Sequence, residues 1–162
     1  MTRITPTADP KGFRNALGRF ATGVTVVTCH GPDGPIGITA NSFASVSLDP
    51  PLVLWSPAKS SSRHDIFVGA KSFAIHVMSD DQADICTGFV KNWSAFDGLD
   101  WSTNVDGTPL INGCLARFEC TQEVCHDAGD HTIIIGRVTA AEIGSGNPLI
   151  FASGQYGRFT RG

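Results

Sequence analysis

GITANSFASVSLDPPLVLWSPAKSSSRHDI, residues Gly37 to Ile66, sets two strands, a turn and a helix start in one unbroken run. From Phe43 to Leu48 the residues alternate. Phe43, Ser45 and Ser47 share one face, and Ala44, Val46 and Leu48 share the other. Asp49-Pro50-Pro51 breaks the ladder, and Leu52 to Trp55 resumes it as a second strand. Next comes Lys59-Ser60-Ser61-Ser62-Arg63. Ser62 stands where it would N-cap a helix starting near Arg63, with Asp65 three residues on to complete a capping box. A helix start offers unpaired N–H groups and a partial positive charge. Lys59, Arg63 and the hydroxyls add to it, so the run has the chemistry of a phosphate grip. The competing reading is an ordinary capped helix with solvated basic residues.

Working outward, Met1 to Ala8 reads as a loose arm. Asp9-Pro10 then opens a short helix whose Phe13, Leu17 and Phe20 form one apolar stripe. Gly23 to His30 and Ile36 to Ala40 are β-branched runs joined by Gly31-Pro32-Asp33-Gly34-Pro35, a predicted hairpin. Arg63 to Ala70 is a helix with Ile66 and Phe67 inward. Ser72 to Met78 is a strand with Phe73, Ile75 and Val77 on one face and His76 on the other. Ser79 or Asp80 caps a further helix carrying Ile85 and Phe89. Lys91 to Gly107 reads as a long loop that covers something. Cys114 to Val124 and Gly129 to Ile143 are long strands around a polar turn, Cys125 to His131. Pro148 to Phe151 is a last short strand before the Gly154 to Phe159 tail. With no repeat and no linker, residues 1–162 form one mainly β domain with a few short helices, its antiparallel sheet closed into a barrel.

Composition narrows the function. The 162 residues are 41% hydrophobic and 17% charged, which is globular and not disordered. A net charge of −3 argues against a broad nucleic-acid surface. No apolar run approaches transmembrane length, and the N-terminus lacks a signal peptide's apolar core. The expected location is the cytoplasm, with the five cysteines as reduced thiols. No C-x-x-C pair supports a metal, so no metal ligands are assigned. No G-x-S-x-G elbow singles out a serine nucleophile. No phosphate-binding loop or strand–G-x-G-x-x-G–helix unit occurs, so a dinucleotide would have to bind outside a Rossmann fold. Two residues stand out instead. His131 opens a strand after Gly129-Asp130, where it can reach a cleft mouth. Tyr156, the only tyrosine, sits in a Gly-rich tail.

These residues together resemble the short-chain flavin reductases, which have the FMN-binding split-barrel fold of antiparallel Greek-key type. The resemblance rests on Phe13-Arg14 and the run from Phe20 to Thr28, then on Gly37 to Leu52. It continues through Phe89, Phe96, Gly98 and Trp101, and closes with Gly129-Asp130-His131 and the Tyr156 tail. It implies a flavin, FMN or FAD, lined by Gly37, Ile38, Thr39, Asn41 and Ser42. Ser56, Pro57 and Ala58 would follow the ribityl–phosphate region, Ser62 and Arg63 would hold the phosphate, and Phe89 would contribute from its helix. His131 would orient the nicotinamide of NADH or NADPH as the one catalytic residue, helped by Tyr156 and Arg158.

The family's members reduce flavin for a separate flavin-dependent monooxygenase, and the fold implies a homodimer. The flavin carries the hard chemistry, which accounts for the missing acid, base and nucleophile. Gln155 and Arg137 depart from the family pattern, the first at a commonly basic place and the second at a commonly acidic one. Rival readings on the same barrel are an FMN-dependent oxidase of the pyridoxamine-phosphate-oxidase type and a non-catalytic flavin- or haem-binding module.

Overall fold

The alternating and β-branched runs become strands because their side chains have apolar surface to meet on the sheet faces. The computed structural model describes residues 1–162. Its strands are β1 (Thr22–Gly23), β2 (Thr25–Gly31), β3 (Gly34–Ala40), β4 (Ala44–Leu48), β5 (Pro51–Trp55) and β6 (Ser72–Val77). They continue with β7 (Trp101–Thr103), β8 (Pro109–Ile111), β9 (Ala116–Ala128), β10 (His131–Ile143), β11 (Leu149–Ala152) and β12 (Gln155–Arg158). The helices are α1 (Pro10–Leu17), α2 (His64–Gly69) and α3 (Ala83–Lys91), with one 3-10 turn at Asp80–Gln82. No helix is long and apolar enough to cross a membrane.

One sheet runs β3-β2-β6-β9-β10-β5-β4, with every pair antiparallel. Ile36 on β3 and Val53 and Trp55 on β5 lie toward opposite ends of that order. They nevertheless share one core with Val27, Phe73, Ile75 and Ile134. The sheet must therefore be curled until its ends approach, which is the expected barrel. Val24 and Val26 point the other way. With Met78, Cys86, Phe89, Phe96 and Ile111 they make a second core beneath α3 and the β7–β8 hairpin. Strand β2 is thus buried on both faces. His76, facing this second core, is completely buried. Its Nδ1–H donates to Val26 O at 2.9 Å and its Nε2 accepts from the Ile111 N–H at 3.0 Å. Burial pushes its pKa down to about 4, so the imidazole is neutral.

Several local expectations need correction. Asp9 caps α1 as anticipated, its Oδ1 accepting from the Gly12 N–H at 2.8 Å. The apolar stripe behind it does not reach the core: Phe13, Leu17 and Phe20 are 42%, 60% and 79% exposed. Helix α2 starts one residue later than predicted and has no side-chain cap. Arg63 itself stands at the boundary, its N–H donates to Ser61 Oγ at 3.2 Å, and Asp65 is engaged by His64. The capping box lies instead at Ser79 and Gln82.

The apolar face of β4 points outward at the sheet edge, leaving Leu48 95% exposed. The stretch after Lys91 is not all loop. It folds Phe96 within 5.0 Å of both Phe89 and Trp101 and ends in β7, so it lids the second core. The polar turn shrinks to Gly129-Asp130 with Gly129 at φ +67, because Cys125 to Ala128 extend β9. The tail is a strand. β12 pairs with β11 across Ser153-Gly154, both left-handed, as a two-residue hairpin requires.

Candidate functional site

Two adjoining cavities open where β3 gives way to the connection into β4. The larger, about 450 Å³, is mostly apolar and is lined by Val24, Thr39, Ala40, Asn41, Thr87, Val90, Phe151, Gly154 and Tyr156. The smaller, about 220 Å³, is lined by Ile38 to Ser42, Trp55 to Ala58, Ser61 and His131. Thr39, Ala40 and Asn41 form the wall common to both.

That wall is an unpaired sheet edge. Gly37 donates its N–H to Trp93 O at 2.9 Å, and its carbonyl accepts from Arg63 at 3.1 Å. Its backbone therefore faces away from β2. Alternation along the strand turns the N–H and C=O of Thr39 to the same outer side. The opposite wall is pinned to β10. Pro57 O accepts from the Thr132 N–H at 3.1 Å, Asp130 O accepts from the Lys59 N–H at 2.9 Å, and Ala58 faces His131 in an isolated bridge. Ser42 Oγ accepts from the Ser56 N–H at 2.9 Å and closes the floor between the two walls.

His131 Nδ1 lies 2.7 Å from Asp130 Oδ1, a bond that holds the Asp130 carboxyl below its usual range. Nε2 has no protein partner, and in the neutral ring that donates Nδ1–H to the carboxylate it is an acceptor. No cysteine lines either cavity, and burial pushes the Cys29, Cys86 and Cys120 thiols up to about 12. No group of three or more His, Cys, Asp or Glu side chains converges.

Residues 17–160 match the family model of the flavin reductase like domain. The chain belongs to the flavin reductase-like family. It is 62% identical to the FMN reductase (NADH) SmoA of Agrobacterium fabrum over 94% of this chain and 88% of that one. It is 39% identical to HsaB of Rhodococcus jostii, the reductase subunit of a flavin-dependent monooxygenase, over 91% and 77% of the two chains. Among solved structures, the NADH:FAD oxidoreductase SgcE6 of Streptomyces globisporus, in complex with NAD and FAD fragments, superposes with a TM-score of 0.92. That match is 37% identical and covers 99% of this chain and 98% of the other. The antiparallel, mostly β fold is that of split-barrel flavin reductases.

Within this flavin reductase-like fold, Ile38, Thr39, Asn41, Ser42, Ser56, Pro57, Ala58 and His131 gather round the polar cavity. Tyr156 joins the apolar one, its ring 5.7 Å from Phe151. Other residues named from the sequence sit elsewhere. Gly37 and Phe89 are buried against each other, and a Cβ on Gly37 would lie 2.6 Å from the Phe89 ring. Their pairing is packing, and Phe89 has no exposed surface to offer a ligand. Arg63 lines neither cavity, and three of its donors are already engaged within the protein. Its guanidinium donates to Gly37 O and to Phe89 O and Val90 O, carbonyls in the last turn of α3. Ser62 is exposed and lines neither cavity; its neighbour Ser61 does. Arg158 pairs with Asp80 at 3.3 Å, away from both cavities. Val24, Thr87, Trp55 and Phe151 are lining residues that the sequence reading missed. The packing of α3 on β3 and the pairing of β11 with β1 bring in Thr87, Val24 and Phe151, and β5 supplies Trp55, whereas Ser61 lies in the serine run already singled out.

Proposed function

We propose that this protein transfers a hydride from NADH to a flavin held in the paired cavities and passes the reduced flavin to a separate monooxygenase component. The observation that carries the reading is the division of the site. An apolar cavity and a polar one meet at the outward backbone edge of Thr39, and a flavin ring is itself divided into an apolar end and a hydrogen-bonding end. The site residues fit that group: Thr39 supplies backbone donor and acceptor, and Ser42, Ser56, Ser61 and Asn41 supply polar groups beyond it. A bound flavin supplies the hydride-accepting chemistry. His131, held by Asp130, presents Nε2 to a carboxamide N–H and so orients the nicotinamide. Tyr156 and Phe151 wall the apolar end.

The whole of residues 1–162 is read as one domain, acting in the cytoplasm with its five cysteines as free thiols. A homodimer is part of the same proposal. The exposed stripe on α1 and the outward apolar face of β4 are the surfaces a second copy would cover.

The test is anaerobic mixing of the purified protein with NADH and either FMN or FAD, following nicotinamide and oxidised-flavin absorbance together. Parallel loss at catalytic rates is the expected result, and the faster flavin is the physiological one. Flavin that binds but is never reduced by NADH or NADPH would reject the reductase reading in favour of an oxidase or a binding module.

A further inference from the structure

Behind the polar cavity lies a chain of three side chains that hydride transfer does not use. His64, the first residue of α2, has Nδ1 2.8 Å from Asp65 Oδ1 and Nε2 2.8 Å from Thr132 Oγ1. Carboxylate, imidazole, hydroxyl is the order of a nucleophile relay. Here the hydroxyl belongs to Thr132, which is only 7% exposed, so no substrate reaches it. The chain holds structure in place.

What it holds is the serine loop. The loop starts at Lys59, whose N–H is bonded to Asp130 O in the turn before β10, and meets β10 at His64, bonded to Thr132. Both anchors flank His131. Between them Ser61 lines the polar cavity, and Arg63 ties the loop's far side to β3 and α3. Lys59 Nζ reaches Asp127 on β9 and Arg63 reaches β3, while His64–Thr132 is the loop's one side-chain hydrogen bond to β10, so that contact sets where the α2 end of the loop stands against the strand that carries His131.

We infer that His64 is a positioning residue for flavin binding: acting through Thr132, it sets the width of the polar cavity by fixing the serine loop against β10. The inference rests on the flavin reading above. With Nδ1–H donated to Asp65, Nε2 accepts a hydrogen bond from the Thr132 hydroxyl. A glutamine at this position reaches the place of Nε2, whereas an asparagine reaches only that of Nδ1.

The experiment measures FMN affinity by quenching of flavin fluorescence, and the KM for NADH at saturating FMN, on the full chain. His64→Ala raises the FMN Kd about tenfold, the scale of one lost ordering hydrogen bond, and moves the NADH KM by no more than about twofold. His64→Gln recovers most of the affinity and His64→Asn does not. Thr132→Val, which keeps the shape of the strand, reproduces the His64→Ala effect. The double variant is no worse than either single one, because both remove the same contact. Equal rises in FMN Kd and NADH KM, rescue by Asn as good as by Gln, or additive effects in the double variant would each overturn the assignment. An unchanged FMN Kd in both single variants, beside a wild type that binds and reduces FMN, rejects the role of His64 alone. A wild type that neither binds FMN nor oxidises NADH rejects the flavin reading itself.

Discussion

At His131 a single hydrogen bond decides the chemistry on offer. Asp130 accepts a hydrogen bond from Nδ1–H, which leaves Nε2 of the neutral ring as an acceptor. His131→Ala is expected to raise the NADH KM about tenfold and the flavin Kd by less than about twofold, since it removes one orienting contact to the donor. Steady-state kinetics beside a flavin titration checks this, and equal loss in both would reject the assignment. His76 gives a second prediction. Its folded pKa of about 4, lowered mainly by burial, lies below its ordinary 6.5. The unfolded chain therefore takes up the proton first as pH falls. The contribution of His76 is complete above pH 6.5 and drains away toward pH 4, roughly 3 kcal/mol in all. Urea unfolding at pH 7 and pH 5 should show the loss, and His76→Gln should flatten it.

Residues of this scale were legible where their neighbours in space are also neighbours in sequence. Ile38 to Ser42 and Ser56 to Ala58 were read from one continuous run, and they do share a cavity. The partner of Arg63 was not legible, because it is the end of a helix more than twenty residues away.

Among elements, α3 shows what that distant partner does. A helix ends with carbonyls that have no partner within it, and the Arg63 guanidinium supplies donors to two of them. Arg63→Ala should cost about 2 kcal/mol of stability, the scale of a charged hydrogen bond lost from a part-buried site. Thermal or urea unfolding measures it. A large rise in flavin Kd with an unchanged unfolding midpoint would instead make Arg63 a phosphate ligand. Gly37 belongs to the same junction. It lets β3 approach α3 so closely that the Phe89 ring occupies the space a side chain would need. Element types followed from periodicity and turn residues, as with the β2–β3 hairpin. Which face of an element lies inward did not: the stripe of α1 and the apolar side of β4 carry the right pattern and point outward.

For the molecule as a whole, the curled sheet and its second core explain why β2 is buried nearly throughout, its two threonines included. Both faces are covered, and alternation is lost where no face meets water. The same logic makes the uncovered surfaces informative. If α1 and the β4 edge are where two copies meet, sedimentation should give twice the chain mass, and Leu17→Lys should shift it toward one chain without changing the unfolding midpoint by more than about 1 kcal/mol. A chain that sediments as a monomer at every concentration would leave those surfaces unexplained by self-association.

Trp55, finally, gives the protein an optical reporter of its own. Its indole is fully buried and set edge-on to Phe67 at 5.0 Å, and the residue borders the polar cavity. An indole kept that dry and still emits at the short-wavelength end of its range. A flavin lodged beside it absorbs in that range and drains the emission by resonance transfer. Filling and emptying of the cavity thus become visible as darkening and recovery of the protein's own light, with no label attached and no turnover required.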